Sequence, residues 1–369
     1  NSGAISNCYN TGSVSATSTA TSTSSYAYAG GIAGENSGTI RNCYNTGSVP
    51  ATSTSTSTSS SSYAHAYAGG IAGSNSGTIS NCYNTGSVSA ASTSSYAHTY
   101  ANASAGGIAG RNVGTINNCY NTGSVTKSAY AGGIAGNNYG GTISNCHNTG
   151  SVSVPPSSAS AYAGGIAGDN DYSGTISDCY NTGSVSATSS RASAYAGGIA
   201  GDNDYSGTIS DCYNTGSVSA TSSRASAYAG GIVGYNDAGG TISDCYYLDT
   251  AAKGVGSSSD TSTDTSIRCT AEQMKQKDTF IGFDFDTVWE IDSYRVYPYP
   301  QLKSNRQEPI QSIELLTKPD HSIQTIEGLL PELSGVTVKI VYEDGFEIII
   351  EATTKMLSQL NVSQLGVQT

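Results

Sequence analysis

The chain has 369 residues, with Gly at 45, Tyr at 26, a single Trp and charged residues at only 11%. Its formal net charge is −12 and it contains no basic runs, so we expect neither nucleic acid nor an anionic membrane surface as a partner. No stretch approaches about 18 consecutive apolar residues, so we expect no membrane insertion within this segment. The chain opens inside a repeat, on Asn1-Ser2-Gly3, and we interpret it as an excerpt of a longer protein.

One unit recurs eight times, with its first and last copies incomplete: Gly-Gly-Ile-Ala-Gly, a short spacer, Gly-Thr-Ile, two polar residues, then Cys-Tyr-Asn-Thr-Gly-Ser-Val. Residues 161–193 and 194–226 are identical copies, which indicates a recent duplication. Disorder is the usual interpretation of a Ser- and Gly-rich chain, but Ile and Val at fixed places argue against it. The cysteines mark the register of the repeat: Cys8, Cys43, Cys82, Cys119, Cys146, Cys179, Cys212 and Cys245.

The repeat has a part of nearly constant length and a part of variable length. The constant part has 20 residues from Gly30 to Val49 and 22 from Gly197 to Val218. The part after the Val varies from 6 residues after Val125 to 19 after Val49. We predict that the constant part forms a stacked wall, and that the variable Ser/Thr/Ala-rich parts are loops leaving one edge of it.

Each constant part contains three β-prone runs, around Ile32, around Ile40 and from Cys43 to Val49. None can bury its apolar side alone, whereas stacked copies would pair every backbone group and form interior rows of Ile and Val. An α-helical repeat is disfavoured because no apolar spacing of three and four survives. We therefore predict an all-β fold, a parallel β-solenoid of about eight coils over residues 1–250.

Side-chain parity within a coil makes further predictions. Ile40 and Cys43 are three residues apart, so both can point inward only if the chain bends at Arg41-Asn42. We then expect Cys43 inside and Tyr44 outside. The cysteines should form a buried ladder of free thiols with Cys269 outside it, because parallel side chains point the same way and close disulfides poorly.

The outward row is our candidate ligand-binding surface, because tyrosine rings and hydroxyls suit sugars or an apolar patch of a partner. The alternative is that stacked tyrosines only stabilise the sheet. A third interpretation is an ice-binding row of threonines such as Thr39 and Thr78. It is disfavoured because one Thr per coil gives too few threonines for an ice-binding surface. His147 interrupts the tyrosine row, whose members are Tyr9, Tyr44, Tyr83, Tyr120, Tyr180, Tyr213 and Tyr246.

The segment from Gly69 to Val88, GGIAGSNSGTISNCYNTGSV, resembles the GLUG motif of bacterial surface proteins, and the resemblance covers roughly residues 1–250. It implies a secreted or cell-surface location and a structural, adhesive role. The implied partner is a protein or glycan on the surface of a host or a neighbouring cell.

Two further segments carry resemblances. Residues 251–306 resemble the segment that closes such arrays, with Met274-Lys275, Thr279-Phe280 and Trp289, and we expect this cap to cover the open end of the solenoid. Residues 307–369 resemble a bacterial Ig-like domain through Lys318-Pro319, the run from Leu333 to Val338, and Leu365-Gly366. The expected β-sandwich is incomplete, because a final strand normally follows that Gly and the chain stops at Thr369.

GLUG arrays also occur in immunoglobulin-cleaving metallopeptidases, whose zinc site needs two His one helical turn apart with a Glu beside the first. The four histidines here, His65, His98, His147 and His321, lack that spacing, so we predict no enzymatic activity. The alternatives are a glycan-binding or glycan-cleaving β-helix, or the non-catalytic region of a larger surface metallopeptidase.

Recurring acids raise the question of a metal site. Stacking would bring together Asp169, Asp171, Asp202 and Asp204, whose oxygens could bind Ca²⁺. The competing interpretation is that these are turn residues replacing the Asn137-Asn138 pair of another repeat. We expect no other cofactor.

Overall fold

The structure is a computed structural model that describes residues 1–21, 24–56, 63–94, 101–127, 129–157, 159–259, 261–291, 299–305, 310–315, 337–342 and 347–351. The chain divides into two compact units, Asn1–Ser304 and Asn305–Thr369. Within the described ranges, no helix is long and apolar enough to span a membrane.

The first unit is a parallel β-solenoid, as predicted. A full coil consists of five short strands, one in each of five parallel sheets, which we number 1 to 5 in chain order. Equivalent residues of neighbouring coils pair in register: Ile5 pairs with Ile40, and Ile40 pairs with Ile79. The predicted isoleucine rows are therefore confirmed, and their side chains are buried in one continuous core.

Sheets 1 and 2 each contain nine strands within the described part of the chain. Those of sheet 1 are Ala4–Ser6, Thr39–Arg41, Thr78–Ser80, Thr115–Asn117, Thr142–Ser144, Thr175–Ser177, Thr208–Ser210, Thr241–Ser243 and Thr263–Asp264. Those of sheet 2 are Tyr9–Asn10, Tyr44–Asn45, Tyr83–Asn84, Tyr120–Asn121, His147–Asn148, Tyr180–Asn181, Tyr213–Asn214, Tyr246–Leu248 and Ile267–Cys269.

Sheets 3 and 4 each have seven described strands, and sheet 5 has eight. Sheet 3 comprises Ala16–Ala20, Val49–Ser55, Val88–Ser94, Val125–Lys127, Val152–Ser157, Val185–Ser189 and Val218–Ser222. Sheet 4 comprises Ser25–Gly30, Ala64–Gly69, Ala101–Gly106, Tyr130–Gly132, Ala161–Gly164, Ala194–Gly197 and Ala227–Gly230. Sheet 5 comprises Ala33–Asn36, Ala72–Asn75, Ala109–Asn112, Ala135–Tyr139, Ala167–Asp171, Ala200–Asn203, Val233–Asn236 and Val255–Ser258.

Sheets 3 and 4 correct the expectation that the variable parts of the repeat are loops. In the strand Val49–Ser55, alternate side chains are buried, as expected for a strand with one covered face. The buried residues are small, mainly Ala and Val, and they form a second core between the two sheets. The variation in length lies partly in the strands and partly between them. Val49–Ser55 has seven residues and Val125–Lys127 has three, and eight residues separate Ser55 from Ala64 whereas two separate Lys127 from Tyr130.

The stack continues past the predicted boundary at residue 250. After Leu248 the chain passes directly to the sheet 5 strand Val255–Ser258. It then adds Thr263–Asp264 to sheet 1 and Ile267–Cys269 to sheet 2, so a partial ninth coil covers the eighth. The residues up to Cys269 therefore extend the solenoid.

The remainder of the cap contains three short 3₁₀ helices, Gln273–Lys275, Lys277–Thr279 and Lys303–Asn305, and an antiparallel pair, Trp289–Glu290 with Gln301–Leu302. Its large side chains pack against tyrosines of sheet 2 from three successive coils. This cluster lies along the side of these coils, while the partial ninth coil, from Val255 to Cys269, covers the end of the stack.

The second unit contains a three-stranded antiparallel sheet, Ile310–Leu315, Thr337–Tyr342 and Glu347–Glu351. The other residues that carry the Ig-like resemblance, including Lys318-Pro319, Leu333 to Val336 and Leu365-Gly366, lie outside the described residues. The Ig-like domain remains a prediction.

Candidate ligand-binding faces

The residue before each repeat cysteine sets the direction of the side chains that follow. Asn42 has φ of 52°, a left-handed conformation that Asn and Asp tolerate better than other side chains. This is the predicted bend: it turns the chain between Ile40 and Cys43, so both are buried. The same conformation recurs at Asn7, Asn42, Asn81, Asn118, Asn145, Asp178, Asp211 and Asp244.

The cysteines form the predicted ladder of free thiols. The backbone N–H of Cys43 donates to Sγ of Cys82 at 3.4 Å, and the contact repeats from Cys82 to Cys119. Burial raises the pKa of the Cys119 thiol well above its usual value, which disfavours the thiolate that nucleophilic chemistry needs. Cys8 was expected to be buried but is exposed in the first coil, and Cys269 is buried outside the ladder.

Two buried ladders of asparagine were missed by the sequence analysis. Nδ2 of Asn45 donates to the Gly47 carbonyl and to Oδ1 of Asn84, both at 2.7 Å. A second ladder in sheet 5 links Nδ2 of Asn36 to Oδ1 of Asn75 at 2.8 Å. The recurrence of these Asn residues in nearly every repeat could have indicated that they are buried, because an exposed polar position does not need the same side chain in each coil.

The predicted tyrosine row of sheet 2 exists as a stack of rings. The rings of Tyr44 and Tyr83 are 4.9 Å apart and within 3° of parallel, and the stack continues through Tyr120 and His147. Because the ring faces cover one another, the row presents ring edges and hydroxyl groups outward. The faces on which a sugar ring would pack are occupied, which favours the structural interpretation of the row.

The expectation that every tyrosine of this row faces solvent is wrong for Tyr180, Tyr213 and Tyr246, which are buried under the cap. The ring of Trp289 lies 5.8 Å from that of Tyr213, tilted by 54°. The Tyr246 hydroxyl donates to the Ile281 carbonyl at 2.9 Å. At the other end of the row, Tyr9 is 66% exposed.

A second tyrosine row, also missed, lies on sheet 4. The rings of Tyr162 and Tyr195 are 4.9 Å apart, and Tyr195 also contacts Tyr235 of sheet 5 at 5.5 Å. This row therefore borders the outward side chains of sheet 5. Its members are Tyr28, Tyr67, Tyr130, Tyr162, Tyr195 and Tyr228, with Ser104 in place of Tyr in one coil.

The candidate calcium ligands lie on sheet 5 and the turn that follows it. Asp169 pairs in register with Asn137 on one side and Asp202 on the other, as the turn-residue interpretation anticipated. Asp169 is only 7% exposed, and its Oδ2 accepts a hydrogen bond from Asn137 at 2.7 Å. The pKa of Asp169 is raised to about 8, mainly because the carboxyl group is buried and secondly because the carboxylate of Asp171 is nearby.

In the adjacent turns, Asp171 and Asp204 accept hydrogen bonds from the backbone N–H groups of Tyr172 and Tyr205 at 2.7 and 2.6 Å. Among the described residues, no three side chains of His, Cys, Asp or Glu converge as a metal site requires. The calcium site stays a prediction. The arrangement places the buried carboxyl group of Asp169 beside three half-buried ones, those of Asp171, Asp202 and Asp204.

The same turns carry a third row of rings. Tyr139 lies 4.4 Å from Tyr172, which lies 5.0 Å from Tyr205. Tyr172 and Tyr205 have φ of 51° and 43°, a conformation that is unusual for bulky side chains. At one end of this row, the guanidinium of Arg111 lies 4.9 Å from the centre of the Tyr139 ring.

Four segments of the chain match the family described as the GLUG motif: residues 25–49, 64–89, 128–153 and 225–247. Each match runs from a strand of sheet 4 through sheets 5, 1 and 2, and the first three also reach the start of sheet 3. The chain contains GLUG repeats. No curated protein and no solved structure matches the chain.

Proposed function

We propose that this chain is an extracellular structural and adhesive segment of a bacterial cell-surface protein. In this proposal, the stacked GLUG coils form a rigid rod that displays loops and a ligand-binding face to a protein or glycan on another cell. The observation that carries the proposal is the continuous in-register pairing of the coils from Ala4 to Cys269.

The internal contacts support rigidity. Each coil is joined to the next by parallel backbone hydrogen bonds, by the Asn ladders and by the stacked rings of sheet 2. Buried amide ladders of this kind fix the register of neighbouring strands, because a shifted strand would leave amide groups unpaired. A rod of this type can hold the surfaces that it displays at a fixed distance from the cell without a change of conformation.

The test of adhesion uses the whole chain coupled to beads and incubated with host cells and with bacterial cells. The proposal expects retention of coated beads above beads coated with an unrelated acidic protein. Equal retention of both on every surface would contradict an adhesive role and leave only the structural one.

Within this proposal, the tyrosine row of sheet 2 is the candidate adhesive face. Replacing Tyr83 and Tyr120 with Ser tests it by measuring thermal stability and binding to immobilised host glycans or cells. Loss of binding with little change in stability supports a ligand role. Loss of stability with unchanged binding assigns the row to structure and directs the search to the variable parts of the repeat.

We also propose that the chain is not an enzyme. Support comes from the burial that raises the pKa of the Cys119 thiol, and from the stacking of the tyrosine faces of sheet 2. Incubation with polysaccharides and with immunoglobulin, followed by analysis of the products, tests this. Cleavage by the purified chain that is absent in a boiled sample would overturn it.

A further inference from the structure

We propose that a second face of the solenoid binds arginine or lysine side chains of a partner protein. This face lies on sheet 5 and its turns, away from the sheet 2 row, and its binding does not depend on the adhesive role of that row. We call it the acidic face, and its residues are Asp169, Asp171, Asp202, Asp204, Tyr205 and Asp237.

The acidic face concentrates carboxyl groups without a basic counter-charge. Burial raises the pKa of Asp169 and Asp202 and favours their neutral forms, so the negative charge of the face lies on Asp237, whose pKa is lowered, and on the partly exposed Asp171 and Asp204. The five carboxylates are close enough to act on one another: Asp169 is influenced by Asp171 and Asp204, and Asp202 by Asp169 and Asp237. Within the described residues, none of the five is in an ion pair with a basic side chain. A cationic ligand would therefore meet charge that the chain itself leaves uncompensated.

An unpaired buried acceptor points to the same conclusion. Oδ1 of Asp202 is buried and has no hydrogen-bond partner in the described part of the chain. Leaving a buried polar group unpaired costs about 1–3 kcal/mol, and more when the group is charged. A donor carried in by a ligand would reduce this cost, whereas the duplicated Asp169 already has Asn137 as a partner.

The ring stack beside these carboxylates shows how a cation is accommodated. Arg111 covers the outer face of Tyr139 at 4.9 Å, at one end of the Tyr139–Tyr172–Tyr205 stack. At the other end, Tyr205 is 55% exposed, and the next coil places the small Ala238 opposite it. The geometry thus leaves a second ring face for a ligand cation.

The carboxylates nearest this ring face are suited to a guanidinium. Asp204 and Asp237 occupy the same position in successive coils, where their backbone N–H groups donate to the carbonyls of Asn170 and Asn203. Burial, and after it the carboxylate of Asp237, contributes to raising the pKa of Asp204. A hydrogen bond from the Ser259 hydroxyl lowers the pKa of Asp237, which keeps that carboxylate ionised at neutral pH. Arginine fits best, because its planar group stacks on an aromatic ring while its edge donates to carboxylates.

The ligand class follows from this chemistry. An acidic glycan would be repelled, and a neutral one would gain nothing from the charge. Acidic groups recur at each coil of the face, about 4.8 Å apart, so an extended segment with several Arg residues could meet more than one of them. We therefore infer an arginine-rich protein segment as the occupant.

The experiment measures fluorescence anisotropy of labelled hexa-arginine, hexa-lysine and hexa-serine peptides titrated with the whole chain at low and at high salt. We expect hexa-arginine to bind more tightly than hexa-lysine, no binding of hexa-serine, and weakening by salt. The double variant Asp204→Asn with Asp237→Asn should weaken hexa-arginine binding about tenfold or more.

Tyr205→Asn separates the ring from the charges, because Asn tolerates the left-handed backbone at this position. It should weaken hexa-arginine about fivefold, the loss expected from about 1 kcal/mol of cation–π attraction, and hexa-lysine by less. A matched control, Asp249→Asn with Asp278→Asn, removes the same charge from exposed positions outside the face. It should change binding by less than about twofold.

Several results would overturn the proposal. One is that the control pair weakens hexa-arginine binding as much as the Asp204/Asp237 pair does. Another is that Ca²⁺ at stoichiometric concentration abolishes this binding. A third is that the parent chain binds hexa-arginine no more tightly than hexa-serine. Circular dichroism of each variant shows whether the solenoid is intact. Failure of cell adhesion with intact peptide binding would overturn the proposed adhesive function and leave this inference standing.

Discussion

Nε1 of Trp289 donates a hydrogen bond to Oδ1 of Asp178 at 3.2 Å, and this contact joins the cap to the side of the sixth coil. The indole is fully buried against the rings of Tyr213 and Phe283. Coils closer to the N-terminus carry Asn at the position of Asp178, for example Asn42, whose Nδ2 instead donates to Oδ1 of Asn7. The change from Asn to Asp therefore coincides with the place where the cap packs.

The first prediction follows from this contact. Asp178→Ala should lower the free energy of unfolding of the cap by about 1–3 kcal/mol, because the indole N–H loses its acceptor inside the protein. The protein has one Trp, so its fluorescence reports this transition directly. Asp211→Ala is the matched control, since Asp211 has nearly the same φ, 52° against 51°. Equal midpoints for the two variants would show that the hydrogen bond contributes nothing.

The second prediction concerns the Gly-Gly pair that opens each repeat. A Cβ at Gly70 would lie 2.2 Å from the Gly107 carbonyl oxygen and 2.4 Å from Cγ of Asn84. Gly70→Ala should therefore destabilise the solenoid by about 1–3 kcal/mol or more, because backbone and a buried amide must move. Gly12→Ala is the control, since the nearest atom to its Cβ is 3.8 Å away. Thermal melts that coincide for both variants would contradict the coil spacing described above.

The third prediction concerns the thiols. In the folded protein, only Cys8 should react rapidly with a thiol reagent, because the other eight cysteines are buried. In denaturant without reductant, all nine should react, since none is in a disulfide. Absorbance of the released chromophore gives both numbers. Fewer reactive thiols in denaturant would mean that the ladder is oxidised, and Cys8→Ser should remove the rapid phase.

The fourth prediction is a pH dependence that arises from His147. Burial lowers the pKa of this imidazole from 6.5 to about 3, so folding excludes a proton that the unfolded chain binds between these values. The stability associated with neutral His147 is present above pH 6.5 and is lost as the pH falls towards 3. His147→Tyr restores the residue of the other coils and removes this loss.

The variant should therefore be more stable than the parent at pH 4.5, by up to about 2–3 kcal/mol beyond any difference at pH 7.5. Urea unfolding at the two pH values measures the pH-dependent part, and the measurement at pH 7.5 is the internal control. A difference between variant and parent that does not change with pH would show that His147 is protonated freely in the folded state.

Much of the wall of the solenoid could be predicted from the sequence. The recurrence of Gly-Thr-Ile and Cys-Tyr-Asn identified the parallel stack, because none of these short runs can bury its apolar side except against a copy of itself. The spacing between Ile40 and Cys43 required the bend at Asn42, and side-chain parity then placed Cys43 inside and Tyr44 outside. These predictions depend only on local geometry and on the period of the repeat.

Other features depended on contacts that no single repeat contains. Tyr180, Tyr213 and Tyr246 are buried because the cap folds back along three coils. The same Cys-Tyr sequence occurs in the first coil, where the Tyr9 side chain is exposed. The sequence predicts loops where the structure has the strands of sheets 3 and 4, because Ala and Ser have low β-propensity and form strands here only when two sheets pack closely together. The sequence predicted that stacking would bring Asp169 beside Asp202, as the register confirms, whereas the burial of Asp169 depends on the packing around sheet 5. The sequence alone determined what one coil looks like, and only the tertiary structure decided which surfaces of neighbouring coils meet, because burial and charge proximity depend on chain segments distant in sequence.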